Sequence, residues 1–439
     1  MSAPLRLALT GDSILQRRLL SRTDPVVRPL FDLVRGADVA FTNLEVLPND
    51  YRGDPALESG GSHFGAPAWV LDELQDAGFG LFATATNHCL DYSISGLLLA
   101  MEAMDRRGLA YAGVGRSLED ARRPAYVTHP HGTVGLLSCS STFAKGQEAS
   151  SQRPDMPGRP GLNPLRYTTM HEVTAEQLAV VRQMASQLGL QAKLEYLIQL
   201  GFKFPPDDPA IVPFGDMSFR EAARTALRTT PKAEDMDGIA RWVREARLTS
   251  DVVVVSVHAH EQGADKDQPA DFLAAFARRM IDEGADLVAG HGPHLLRGME
   301  FHSGKPIFYS LGNFIGQNEL VSRLPADSYE RFRADPALTP AELYRTRTED
   351  DRKGFPSDRR FWESLVPVCT FEGGRLAAID LHPVSLGLGE PRHLRGRPRL
   401  AAGAEGAAIL ARFAALSAPF GTEMMITGDS ARVQLQPER

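Results

Sequence analysis

The stretch Asp251-Val252-Val253-Val254-Val255-Ser256-Val257-His258-Ala259-His260-Glu261 decides the fold. Four consecutive valines are too short for a buried helix and lack the alternation of a half-exposed strand. They read as a strand buried on both faces, the habit of parallel sheets. The run ends in histidines and a carboxylate, at the C-terminal strand end where α/β sheets place their chemistry. Outward from it, a helical pattern over 269–283 leads to a second apolar strand at 287–289, which ends in Gly290-His291-Gly292-Pro293-His294, and a third strand follows at 307–309. Toward the N-terminus, strands at 5–9, 39–42, 81–85 and 134–138 alternate with helices at 24–34, 67–76 and 94–107. This rhythm predicts an α/β protein with a sheet-centred core.

Residues 145–164 are rich in Ser, Pro, Gly and Gln, and helical patterns follow at 175–188, 190–200 and 219–228. The expectation is one discontinuous core, 1–145 and 249–325, interrupted by a helical insertion or cap at 146–248 that is also a candidate homo-oligomer interface. A charged, irregular excursion at 326–362 comes next. Residues 363–439 then complete the core with a hairpin, 365–371 against 375–381, and a helix over 404–416.

The 439 residues carry 48 Lys+Arg against 55 Asp+Glu, a formal net charge of −7, so no basic excess is present to grip a phosphate backbone and nucleic acid is not an expected partner. No apolar run approaches the roughly 18 residues that cross a bilayer, and no export signal is visible, so a soluble, cytoplasmic chain without a membrane partner is expected. Cys89, Cys139 and Cys369 are too widely spaced for a disulfide framework or a metal clip. GxSxG, Walker A and GxGxxG patterns are absent from their required contexts. Cys89 follows His88 directly, and neighbours on one backbone rarely face each other as nucleophile and base.

Polar groups instead recur at five strand ends: Gly11-Asp12-Ser13, Asn43-Leu44-Glu45, Thr86-Asn87-His88, His258-Ala259-His260-Glu261 and Gly290 to His294. Singly, each has a plain structural explanation, since Asp12 can cap a helix and a lone histidine usually sits hydrogen-bonded in a core. Together they converge on metal-assisted hydrolysis. Positions 43 and 45 share one face of an extended segment. The glycines and proline around His291 and His294 can aim two imidazoles into one space. Imidazoles with carboxylates suit Zn, Mn or Fe, so one or two divalent transition metals are expected. His63, His129, His131, His171, His302, His382 and His393 lie in loop or exposed contexts and are assigned no role. Arg297, Arg392 and Arg395 are candidates to bind an anionic substrate, against the commoner reading of solvated surface.

The motif string, with Asp91 after Asn87-His88 and with Tyr309-Ser310-Leu311-Gly312-Asn313-Phe314, resembles the CapA or PgsA-like proteins of bacterial poly-γ-glutamate capsule synthesis, which are similar to calcineurin-like metallophosphoesterases. That resemblance implies a four-layer α/β/β/α sandwich of the metallophosphatase type. It implies Asp12, Glu45, Asn87, His258, His291 and His294 as metal ligands, with Glu45 in the place of a bridging aspartate. His88 is then the catalytic group at the leaving atom, with Asp12 also in the catalytic set. Asn43, His260, Glu261 and Asn313 are assigned to the substrate. The chain departs from the phosphoesterase pattern at Ile14, where a ligand histidine is usual, in Asn-Leu-Glu for Gly-Asp, and in a three-residue spacing of the final histidines. The implied substrate is an anionic small molecule or polymer, phosphoester or γ-glutamyl-type amide. A non-catalytic accessory protein for such a polymer is the alternative.

Overall fold

The valine run forms the strand Val252–His258, and its two faces serve two different cores. Val252 and Val254 pack with apolar residues of a second sheet, whereas Val253, Val255 and Val257 pack under the helices Ala233–Arg247 and Asp271–Asp282. A strand buried on both sides needs apolar residues at consecutive positions, which is why the run is uninterrupted. The computed structural model describes residues 3–436.

Two large sheets organise the mixed α/β chain. The first runs, edge to edge, Met424–Thr427, Ser430–Val433, Arg375–Ser385, Glu363–Glu372, Leu5–Ile14, Val39–Leu44, Leu81–Ala83 and Ala110–Ala112, and Asn313–Gly316 pairs parallel with the far end of Leu5–Ile14. The second runs Leu296–His302, Lys305–Leu311, Leu287–His291, Val252–His258, Gly132–Ser140 and Ala125–His129. Leu5, Leu7, Leu9, Val39 and Phe41 of the first sheet share one apolar cluster with Val134, Leu136, Val254 and Leu287 of the second. The opposite face of the first sheet, through Ala8 and Phe82, packs with helices Arg28–Arg35, Trp69–Asp76 and Ser93–Asp105. Eleven α-helices lie among the described residues, and none of their helices is long and apolar enough to cross a membrane. All three cysteines are buried and free.

The middle of the chain differs from the helical insertion expected. Helices Ala175–Gln187 and Leu190–Gln199 are present, but residues 219–228 form no helix. They contribute to strands Met217–Glu221 and Ala226–Pro231, which flank Tyr167–Val173 in a separate four-stranded sheet with Val212–Phe214. Cross-strand pairing overrides helix propensity here: Arg220 and Arg228 close on Glu172 of the central strand from both sides, at 2.5 and 3.4 Å. Ala233–Arg247, read as part of the insertion, buries Ile239, Ala240, Val243 and Ala246 in the same cluster as the valine strand. The segment read as an irregular excursion holds two short helices, Ala326–Arg331 and Pro340–Arg347, the second opened by a Thr339/Glu342 capping box.

Candidate metal centre

Strand parity carries the site residues into the space between the sheets. Along Val39–Leu44, Val39 and Phe41 face the inter-sheet core, so Asn43 and then Glu45 continue on that side. Along Val252–His258 the same parity continues through Ser256 to His258. Leu5, Leu7 and Leu9 also face inward, and strict alternation would next turn positions 11 and 13 to the site. A register shift between Leu9 and Asp12 re-aims Asp12 into it instead. Gly11 makes the shift possible: a Cβ there would lie 1.9 Å from Gly312 O, so the two backbones meet only without a side chain. Gly292 (φ +114°) and His294 (φ +62°) occupy the left-handed region, which bends the chain back toward the site after Leu287–His291.

The converging groups form two adjacent trios, Asp12 with His258 and His291, and Glu45 with His260 and His294, the ligand atoms of each trio lying within 4.8 Å of one another. His258 bridges them. Its Nδ1 is 3.8 Å from Asp12 Oδ1 and 3.0 Å from His291 Nδ1, and its Nε2 is 3.7 Å from Glu45 Oε1, 2.9 Å from Asn87 Oδ1 and 3.1 Å from His260 Nε2. His294 Nδ1 lies 3.4 Å from Asp12 Oδ2 and 3.7 Å from Glu45 Oε2. Outer partners orient these groups. Ser256 Oγ pairs with His291 Nε2 at 2.5 Å, leaving Nδ1 to the centre, and Asp12 accepts from Asn43 Nδ2 (2.8 Å) and Gly292 N–H (3.0 Å).

The donor set fits divalent metal. Both carboxylate oxygens of Glu45, with Asn43 Oδ1, are buried without a hydrogen-bond partner. A buried carboxylate so placed is costly unless a cation faces it. Burial, then the charge of Asp12, pushes the Glu45 carboxyl well above its ordinary range. Burial also acts upward on Asp12, but the His294 hydrogen bond, with the imidazoles of His258 and His291 alongside, outweighs it and holds that carboxyl low. Burial drives His258 well below the ordinary imidazole value, His260 to about 3 and His291 to about 4. Neutral imidazoles beside carboxylates are metal-ready donors.

Each sequence-derived candidate can now be placed. Asp12, Glu45, Asn87, His258, His291 and His294 come together. His88 stands at the edge, its Nδ1 2.8 Å from Asp91 Oδ2 and its ring 4.2 Å from that of Phe64. The four residues assigned to substrate are placed as follows. His260 belongs to the second trio of donors. Asn43 is turned onto Asp12. Asn313 Oδ1 is 2.9 Å from His294 Nδ1, as an orienting partner. Glu261 points away from the centre and is occupied by Ser141 Oγ (2.7 Å) and Thr142 Oγ1 (3.1 Å), because its backbone has already left the strand. The arginine readings also change. Arg297 is fully buried and donates to the carbonyls of Lys266, Glu261 and His260, while Arg392 and Arg395 are paired with Asp351 and Glu319.

Sequence reasoning missed the roof. A cavity of about 160 Å³ opens against His88 and His294 and is lined by Gly60, Phe64, Tyr344, Arg347, Phe355 and Trp362 among others. The Phe355 ring stands 5.1 Å from that of His294. The only signals in sequence are the Gly60-Gly61 doublet and the aromatic residues scattered through 344–362.

Comparison with known proteins identifies the family. The family described as bacterial capsule synthesis protein PGA_cap matches residues 6–318, an interval containing every donor above. The capsule biosynthesis protein CapA of Bacillus anthracis is 24% identical over 318 residues, 71% of this chain and 59% of that one. A probable polyglutamine synthesis accessory protein of Mycobacterium tuberculosis is 26% identical over 267 residues, 61% of this chain and 50% of that one. Two uncharacterized proteins of Sinorhizobium fredii are 33% identical over 433 residues, spanning 96% of this chain and 91% of theirs. The extent of these matches makes the chain a member of the PGA_cap family of bacterial capsule synthesis proteins.

Proposed function

We propose that the chain is a metal-dependent hydrolase of an anionic substrate, a phosphoester or a γ-glutamyl-type amide. The observation that carries this reading is Glu45, a buried carboxylate with no hydrogen-bond partner, facing the imidazoles of His258 and His294 at 3.7 Å. We read the two sheets and their outer helices as the four-layer sandwich of metallophosphatases, with Asp12, Glu45, Asn87, His258, His260, His291 and His294 able to hold one or two ions of Mn, Fe or Zn. Such an ion, when bound, supplies Lewis acidity that polarises the scissile group and makes a water nucleophilic near neutral pH. The chain's own residues supply the rest. Asp91 fixes the His88 ring through Nδ1, which leaves Nε2 on the cavity side to give a proton to the leaving atom. The 344–362 aromatics exclude water, and Arg347 offers the cavity a cation for the substrate's anionic end.

The test is metal per chain by elemental analysis, beside His258→Ala and His291→Ala, with turnover of bis(p-nitrophenyl) phosphate and γ-glutamyl-p-nitroanilide. Bound Mn, Fe or Zn that both variants lose, with turnover of either probe, supports a hydrolase. No bound metal after reconstitution overturns it. The accessory reading draws on the Mycobacterium tuberculosis relative, a probable polyglutamine synthesis accessory protein. It expects metal-free protein to bind poly-γ-glutamate as tightly as metal-loaded protein does.

A further inference from the structure

We propose that Asp38, His129 and His131 form a second metal site, a surface clip for a zinc-like divalent cation at the opposite end of the sheets from the central cluster. Asp38 immediately precedes Val39–Leu44, whose other end carries Asn43, so about 17 Å of strand separates the two sites. The three ligand atoms lie within 4.8 Å of one another. Asp38 Oδ1 is 3.2 Å from His131 Nδ1 and 3.7 Å from His129 Nδ1. Tetrahedral zinc, with bonds of about 2.0–2.1 Å, sets its ligands roughly 3.3–3.4 Å apart, between those two distances.

Each ligand is fixed in advance. The Asp38 N–H donates to Arg6 O (2.9 Å) and its Oδ2 accepts from the Arg6 N–H (2.6 Å), so Oδ1 remains to face the imidazoles. The Arg6 guanidinium is directed elsewhere, to Gly36 O at 3.1 Å. His129 and His131 flank the tip of the hairpin between Ala125–His129 and Gly132–Ser140, where His129 pairs with Gly132 and the Thr133 N–H donates to Asp251 Oδ2 at 2.7 Å. An Asp–His ion pair accounts for one imidazole. It does not account for two imidazoles converging on one carboxylate oxygen, where the His131 N–H also holds His129 Nδ1 at 3.3 Å. The site joins a strand of the first sheet to an edge hairpin of the second, so an ion there staples the two sheets, with a fourth position left to water.

This inference is independent of the reaction at the central site. The experiment is zinc titration of the chelator-treated full chain by calorimetry, with stoichiometry from elemental analysis, for wild type, His131→Ala, Asp38→Asn and His291→Ala. Asp38→Asn keeps an acceptor for the Arg6 N–H, and circular dichroism confirms that each variant is folded. The expected result is one micromolar or tighter equivalent that His131→Ala and Asp38→Asn weaken at least about tenfold and His291→Ala retains. Zinc stoichiometry and affinity unchanged in both hairpin-site variants, or filling of this site only at millimolar zinc as an adventitious ion, overturns the proposal.

Discussion

His258 and His291 are register partners in adjacent parallel strands, and their Nδ1 atoms stand 3.0 Å apart with Asp12 Oδ1 within 3.8 Å of both. Backbone pairing, not a loop, sets this separation. Two charged imidazoles are incompatible with it, and burial keeps both neutral. In the metal-free protein this has a definite pH signature. His260 and His291 are depressed from 6.5 to about 3 and about 4, so below pH 6.5 the unfolded chain takes up protons that the folded one refuses. Their contribution to stability is full above pH 6.5 and falls away as the pH drops toward 4. Urea midpoints of chelator-treated protein are expected to decline over that window, and a flat profile there contradicts the neutral-imidazole arrangement.

Glu45 acts in the other direction. Its carboxyl is raised above the ordinary 4.5, so its contribution is full below pH 4.5 and lost as the pH rises through the raised value. Glu45→Gln removes that cost along with the charge. The variant is expected to bind Mn or Zn at least about tenfold more weakly while its metal-free form melts higher than wild type at pH 8. Chelator competition and thermal melts give the two readouts. A metal-free variant that melts lower shows that Glu45 has a partner and is not an empty ligand.

Legibility followed backbone parity. Asn43 and Glu45 could be put on one face, and His258 at a strand tip, because period-two alternation survives from sequence into structure. His260 and Glu261 could not be separated, since both lie beyond the strand where no period applies. The 219–228 stretch is rich in helix formers, and it is pairing with the distant strand Tyr167–Val173, where Arg220 and Arg228 also meet Glu172, that puts those two arginines in strands. Arg297 reads as solvated surface or, less often, as an anion binder, because its three acceptors, the carbonyls of residues 260, 261 and 266, are invisible until the loop is folded around it. His129 and His131 look like loop residues for the same reason, because Asp38 reaches them only through sheet packing.

His88 is expected to act in chemistry and not in metal retention. His88→Asn is predicted to keep the metal content of wild type while lowering kcat about 10²–10⁴-fold. The loss should be greatest for alkyl leaving groups, which need a proton, and least for p-nitrophenolate, which leaves without one. Asp91→Asn should follow the same pattern more weakly, because Asp91 orients the imidazole and also anchors the Phe64 N–H at 2.6 Å. Equal losses for both leaving groups in His88→Asn count against proton donation.

Arg297 is a fully buried cation each of whose three nitrogens donates to a backbone carbonyl, including that of His260 at 3.4 Å. Burial lowers its pKa only to about 10, so the guanidinium stays charged at neutral pH. Arg297→Met leaves those carbonyls unpaired, and a destabilisation of about 2–4 kcal/mol is expected from denaturant unfolding. Because the same carbonyls fix the start of the 260–266 loop, metal affinity should fall as well. An unchanged midpoint in urea removes Arg297 from this role.

Gly60 is the tightest point of the roof. A Cβ on it would lie 1.8 Å from Asn87 Nδ2 and 2.9 Å from His88 Nε2, so any side chain must displace the loop or the two site residues. The loop resists, since the Phe64 N–H is bound to Asp91, His63 Nε2 meets Ala56 O at 2.8 Å and Ser62 Oγ accepts from the Tyr344 hydroxyl at 2.8 Å. The displacement therefore falls on Asn87 and His88. Asn87 Oδ1 faces His258 Nε2, so Gly60→Ala is expected to weaken metal binding and turnover together by about tenfold or more, with stability changed by only about 1 kcal/mol. Gly80→Ala meets nothing within 4 Å and is the matched control. Equal metal affinity and turnover in the two variants means that the loop yields and that Asn87 and His88 do not depend on it for their positions.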